Sequence, residues 1–207
     1  MKIVIVAKTR MGSGACVGAL TFNGRSLRLI AADRETNERF NMDYQVGEVW
    51  EVETRPDPEI TPPHVENVIV TRKRRLGTMT EMEIFIEKHM PPTAGGQEAL
   101  FEGLTQATKA GALYIAERTG IPSRSTMFWR PDKTLRREDG QKRIRYRYPA
   151  PEGGFTLTFV GFQEPLPEIP AGSLLRVSLA HWWRPREMPE GELRCYVQLS
   201  GWFLGRG

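Results

Sequence analysis

A chain of 207 residues that is 40% hydrophobic and 26% charged is long enough for one large domain or two small ones with proper cores, and its composition is that of a globular protein, so disorder is not the default. Lys and Arg total 29 against 25 Asp and Glu, so the net charge of +4 permits an acidic partner without requiring one. No apolar span approaches the ~20 residues of a membrane helix, and the N-terminal apolar run is too short for a signal peptide; with only Cys16 and Cys195, far apart, a cytoplasmic protein without membrane partners is expected.

Short strands separated by turns are predicted over Lys2–Lys8, Val17–Phe22, Ser26–Ala31, Val46–Thr54 and Val65–Thr71. Five strands without an internal helix suggest a small barrel over residues 1–75. The glycine-rich stretch Met11–Gly18 between the first two strands resembles a phosphate loop, but strand-like residues follow it and its G-x-G-x-x-x-G spacing matches neither the dinucleotide fingerprint nor a Walker loop. It reads as a strand connection, with Lys8 and Arg10 as candidate phosphate contacts; a nest for a single phosphate is the alternative. Asn23-Gly24 reads as a tight turn.

Between residues 76 and 121 the period changes. Thr80-Glu81-Met82-Glu83 is a candidate capping box for a short helix to about His89, and Gln97–Thr119 reads as a longer helix that Gly120 and Pro122 end. From residue 122 to 207 strands return, over Thr126–Trp129, Ile144–Tyr148, Phe155–Phe162, Ser173–Trp183 and Leu193–Leu204, five again. Strand count alone suggests two barrels, since the halves share no evident repeat.

Alternation along the last strands assigns their faces. In Ser173–Trp183 the core face takes Leu175, Val177, Leu179 and Trp183, with His181 on the same side, and the open face takes Arg176 and Trp182. In Leu193–Leu204 the core face takes Cys195, Val197, Leu199 and Phe203, leaving Arg194, Tyr196 and Trp202 open. Arginines beside large aromatics compose a stacking platform for single-stranded nucleic acid, unless other elements cover the rings. Residues 133–147 hold seven basic residues against Glu138 and Asp139, a net +5. Within them Arg143, Arg145 and Arg147 alternate with Ile144, Tyr146 and Tyr148, either as a stripe for a phosphate backbone or as a solvated strand edge. Trp129 and Arg130 lie nearby, and Arg72, Lys73, Arg74 and Arg75 form a second cluster that extends the patch if the barrels face a common groove.

No hydrolase, zinc-protease, calcium-loop or Walker motif is present. His64 beside Glu66 is the weak candidate for acid–base chemistry, and Cys16, Cys195, His64, His89 and His181 lack the spacing of a zinc site. The expectation is a non-enzyme with no metal and no cofactor.

The motifs Ala7-Lys8-Thr9-Arg10, Gly14-Ala15-Cys16-Val17-Gly18, Val46-Gly47-Glu48-Val49-Trp50-Glu51-Val52, Pro62-Pro63-His64-Val65-Glu66, Phe128-Trp129-Arg130-Pro131, Ile169-Pro170-Ala171-Gly172, Arg176-Val177-Ser178-Leu179-Ala180-His181-Trp182-Trp183-Arg184-Pro185 and Cys195-Tyr196-Val197-Gln198-Leu199-Ser200-Gly201-Trp202 together resemble the prokaryotic dual OB-containing domain family. The resemblance spans nearly the whole chain and implies two OB-type barrels. It implies nucleic-acid binding and supplies no catalytic residues. The expected fold is therefore mainly β with a helical middle segment, an α+β chain of two small five-stranded OB-like barrels (1–75 and 122–207) joined by helices (76–121). The expected function is binding of single-stranded or structured RNA or DNA, with Trp182, Tyr196 and Trp202 stacking and Arg176, Arg194, Arg143, Arg145 and Arg147 holding phosphates. The rival is a module that senses a small nucleotide or docks a protein partner such as a helicase or nuclease.

Overall fold

The computed structural model describes residues 1–12, 14–33, 40–140, 143–151, 153–184 and 190–204. They fall into two compact units, Met1–Pro91 and Pro92–Leu204.

In the first unit β1 (Lys2–Met11), β2 (Gly14–Thr21), β3 (Ser26–Ala31), β4 (Glu48–Pro56) and β5 (Asn67–Thr78) close a barrel in the order β1-β2-β3-β5-β4. Alternate residues point inward, so Ile3 and Ile5, Val17 and Ala19, Leu27 and Leu29, and Val68 and Val70 meet in one core with Trp50. Closure depends on a parallel ladder, Arg28–Ala31 of β3 against Asn67–Val70 of β5. The glycine-rich stretch is the β1–β2 hairpin, with Met11 opposite Gly14 and Gly12 at a φ of 54° that favours glycine. Ser13 lies outside the described residues. Cys16, Val17 and Gly18 continue as β2, so no helix end is there to hold a phosphate.

Glu48 ties the mouth of this barrel together. Its Oε2 accepts hydrogen bonds from the Gln45 N–H at 2.9 Å and the Trp50 indole at 3.0 Å, and its Oε1 accepts one from Arg75 Nε at 2.6 Å. Burial alone would raise its pKa, but these donors and the Arg75 charge hold the carboxyl below its ordinary value.

The middle of the chain departs from expectation. A helix, α1 (Met82–His89), stands where one was predicted, but it starts without a side-chain cap, so the Thr80–Glu83 capping box does not form. The long helix over Gln97–Thr119 is absent. Single 3-10 turns at Gln97–Ala99, Phe101–Gly103 and Glu117–Thr119 flank two strands, β7 (Gln106–Ala107) and β8 (Leu113–Ala116). Gly103 and Gly111 take φ values of 76° and 82°, which interrupt helical winding. All four residues of β8 are buried, with Leu113 and Ile115 in the core.

The second unit adds β6 (Thr93–Gly95), β9 (Thr126–Pro131), β10 (Leu135–Asp139), β11 (Ile144–Tyr148), β12 (Phe155–Phe159), β13 (Glu168–Ile169), β14 (Leu174–Leu179) and β15 (Arg194–Phe203). Its central order, β10-β11-β12-β15-β14-β9, reproduces that of the first unit. Here β9 and β10, separated only by Asp132–Thr134, share the two neighbours that β1 takes alone. The parallel ladder recurs as Thr158 and Phe159 of β12 against Gln198 and Leu199 of β15. All five strands expected in this half are present; the sequence missed β6, β7, β8, β10 and β13.

A bulge reverses part of the expected face assignment. Arg176 lies opposite Gly201 while Val177 lies opposite Leu199, so Ser200 is an extra residue in β15. One inserted residue turns every later side chain to the other face. Alternation therefore holds from Cys195 to Leu199, after which Trp202 enters the core in place of Phe203. Gln163 fixes this end of β15, with Oε1 accepting from the Trp202 N–H at 3.0 Å and Nε2 donating to its carbonyl at 2.9 Å. β14 ends at Leu179, so His181 and Trp183 leave the strand and are exposed, against their expected core placement.

Two outcomes follow from these contacts. Because the folded-state pKa of Glu48 is depressed, its stabilisation is present above the ordinary value of 4.5 and disappears as pH falls through the lower folded value. Thermal melts of Glu48→Gln should be less cooperative or lower than wild type at pH 7 and converge with it below pH 4.5; a constant gap across that range would contradict the assignment. Trp202→Ala should cost about 3–5 kcal/mol of unfolding free energy in denaturant titrations, as for a core aromatic, whereas a loss under about 1 kcal/mol would mean the ring is not core.

Candidate functional site

The outer face of the second unit carries a cleft of about 440 Å³. Arg143 and Arg145 of the β10–β11 connection and β11, Thr156 and Thr158 of β12, Tyr196 and Gln198 of β15, and Trp183 line it. Ala112 and Leu113 lie at the edge where β8 pairs with β15, and Ala180 and Val197 complete the wall.

Strand alternation builds this surface. Tyr146 and Tyr148 turn into the core, which leaves Arg143 and Arg145 exposed on the opposite face. Phe155, Leu157 and Phe159 likewise turn inward, leaving the intervening threonines facing the cleft. Trp183 is 50% exposed and is held by reciprocal backbone bonds with Arg194, 3.0 and 2.9 Å. Its ring centroid lies 6.1 Å from that of Tyr196, which lies 6.0 Å from Tyr114. Arg194 braces the group: its guanidinium sits 4.4 Å from the Tyr114 ring centre, and bonding to Tyr196 and then Glu192 raises its pKa.

Charge pairing separates the arginines. Glu138 lies directly opposite Arg145 in the ladder, yet its two carboxylate oxygens accept from Nε and Nη2 of Arg147 on the diagonal. Arg136 pairs with Glu168 at 3.1 Å and Arg137 with Asp139 at 2.7 Å. Among the described residues Arg143 and Arg145 have no carboxylate partner, and both face the cleft. Two uncompensated guanidinium groups beside an exposed indole form a surface for a bound anion carrying a flat ring.

The cleft unites Arg143, Arg145 and Tyr196 from the sequence-based candidates and leaves out the others. Trp202 and Trp129 are 6% and 0% exposed, and Arg176 is 5% exposed, so none of them can meet a ligand on this face. The bulge at Ser200 accounts for Trp202, and Trp129 donates its indole N–H to the Gly95 carbonyl of neighbouring β6 at 2.9 Å. Trp182 is partly buried against the core. Arg147 and Arg194 are ion-paired, and Arg130 donates to the Gly172 carbonyl.

In the first unit, Lys8 is 6% exposed and donates to the Met42 carbonyl at 2.8 Å, which removes it as a phosphate contact. Arg10 is exposed. The Arg72–Arg75 cluster is a cross-strand ladder of ion pairs: Arg74 to Glu51 at 2.6 Å, Arg75 to Glu48 at 2.6 Å, Arg72 to Glu53 at 3.8 Å and Lys73 to Asp43 at 3.1 Å. Its net field is largely cancelled, so it does not extend a basic patch.

Sequence reasoning missed Trp183, Thr156, Thr158 and Gln198. The signals were the break of the apolar run at Ala180-His181 and the Phe155-Thr156-Leu157-Thr158-Phe159 alternation. Of the groups weighed for catalysis, His64 is 5% exposed and Glu66 6%. Among the described residues no group of three or more His, Cys, Asp or Glu side chains is placed to hold a metal ion. No described helix is long and apolar enough to cross a membrane.

No curated protein matches the chain. Among solved structures, the Ifi202 HINa domain in complex with 20-bp dsDNA aligns with 97% of this chain and 95% of that chain, at 9% identity and a TM-score of 0.33. The p204 HINb domain aligns over 96% and 95%, at 11% identity and a TM-score of 0.34. A murine DNA-binding protein bound with ds DNA aligns over 96% and 91%, at 6% identity and 0.31. Superpositions this loose carry no argument about a ligand. The sequence itself matches the dual OB-containing domain family over residues 1–202, covering both the closed barrel and the unit that repeats its strand order, and the chain belongs to that family.

Proposed function

We propose that the protein is a binding module for single-stranded nucleic acid and that the cleft of the second unit is its site. The observation that carries this reading is the pair of uncompensated arginines, Arg143 and Arg145, beside exposed Trp183 and half-buried Tyr196. Guanidinium groups neutralise backbone phosphates, and flat rings stack on unpaired bases whatever their sequence. The location agrees with the way OB barrels use the face of their second and third strands, here β11 and β12, and the loop between the fourth and fifth, here β14 and β15. A duplex read by base edges is the weaker candidate, because no helix among the described residues of this unit could enter a groove. A cleft of about 440 Å³ is also the size of a small-ligand site, so a mononucleotide is the competing occupant.

Fluorescence anisotropy with labelled single strands at several salt concentrations distinguishes these occupants. The log–log slope of affinity against salt should fall in magnitude by about 0.7 for each of Arg143→Ala and Arg145→Ala. Trp183→Ala should weaken binding by about 1–3 kcal/mol with the slope unchanged. Arg74→Ala, in the compensated ladder, should leave both quantities unaltered. Tight binding of a mononucleotide that single strands fail to displace would favour the small-ligand occupant, and affinity insensitive to salt would refute phosphate contact.

A further inference from the structure

The arginine row continues past the cleft. Arg143 stands just before β11, and Arg145 and Arg147 follow within it at every second residue, on the face opposite the buried Tyr146 and Tyr148. Two residues of a strand span about 6.6 Å, close to the separation of neighbouring phosphates along an extended single strand. Arg147 also borders the cleft, since its ladder partner on β12 is Thr156, which lines it. What sets Arg147 apart is its engagement: the two carboxylate oxygens of Glu138 accept from Nε and, at 3.1 Å, from Nη2, while Nη1 donates to the Gly153 carbonyl at 3.0 Å. A guanidinium fork held by two oxygens of one anion is the geometry in which arginine grips a phosphate. The pair is open to solvent, with side chains 38% and 41% exposed, so it is screened and contributes little to the fold.

We propose that Arg147 is a third phosphate subsite and that the Glu138 carboxylate occupies it as a built-in stand-in for phosphate. This rests on the nucleic-acid reading given above and deepens it. It gives the strand a course: with two phosphates at Arg143 and Arg145, the next one along β11 arrives at Arg147, where it displaces Glu138. That exchange swaps one anion for another on the same guanidinium, so it adds little net attraction, and Glu138 holds the affinity below what three arginines would give. Salt scarcely registers the exchange, because the cation released from the phosphate is balanced by one gathered at the freed carboxylate. Glu138 also stands directly opposite Arg145 in the ladder, so one carboxylate faces two of the three arginines. Arg136, the residue directly opposite Arg147 on β10, is held by Glu168 at 3.1 Å, which leaves Glu138 as the group that decides whether Arg147 is available.

The test is anisotropy of the full-length protein with labelled oligothymidine and oligouridine decamers across a range of salt, comparing wild type, Glu138→Gln and the double variant Glu138→Gln with Arg147→Ala. Glu138→Gln keeps the side-chain shape and removes the charge. It should tighten binding at low salt by about fivefold, the weight of one exposed ion pair, and steepen the log–log salt slope by about 0.7, the mark of one further phosphate. Adding Arg147→Ala should abolish both gains. Circular dichroism melts establish that the variants fold, since without Glu138 the facing Arg136 and Arg147 are a like-charge pair across the strands. Affinity and slope unchanged in Glu138→Gln, or a gain that survives Arg147→Ala, overturns the inference and leaves the nucleic-acid reading standing. Absence of salt-sensitive binding in every variant overturns both.

Discussion

The parallel ladder of β12 against β15 is the constraint on which the second unit depends. In both units the last strand of the central order returns beside the third, and because the two run the same way the pairing is parallel. The pair at this return, Thr158 with Gln198, also lines the cleft. Core and cleft share one arrangement: inward residues Leu157 and Leu199 fill the core, and their immediate neighbours face the cleft. The first unit closes by the same parallel device, Leu29 against Val68, but the charged groups of its β4 and β5 answer one another.

That contrast shows how little a count of basic residues says about binding. The cluster Arg72 to Arg75 has the higher density of charge in the sequence, yet β4 sets Glu48, Glu51 and Glu53 along its flank, and Asp43 takes Lys73. Exposed pairs of this kind contribute little stability each, but together they cancel the field that would attract an anion. In β11 a single diagonal choice has the opposite effect. Glu138 turns to Arg147, and Arg145, which stands directly across from it, remains uncompensated.

The strands were legible from alternation where one face is buried, as in Ile144–Tyr148, and from a short continuous apolar run where both faces are, as in Lys2–Lys8. It misled where two periods fit the same residues: Leu100, Leu104, Ala107, Gly111 and Tyr114 fall on a helical stripe, but glycines with positive φ break the winding and Leu113–Ala116 joins β15. The placement of the aromatic residues was half legible for a different reason. A one-residue bulge leaves no mark in composition, so the parity of Trp202 could not be read past Ser200. Trp183 was assigned inward because β14 was carried four residues too far, past Leu179. The outward placement of Arg143, Arg145 and Tyr196 was legible because each lies on the simple side of an uninterrupted alternation.

The central claim is that nucleic acid occupies the cleft of the second unit and leaves the arginine ladder of the first unit alone. Titrating isotopically labelled protein with a short single strand, followed by backbone amide shifts in nuclear magnetic resonance, tests it most directly. The account predicts perturbations gathered at residues 143–145, 156–158, 180–183 and 196–198, with residues 72–75 unmoved. Shifts centred on residues 72–75, or none at a saturating concentration of strand, would contradict it.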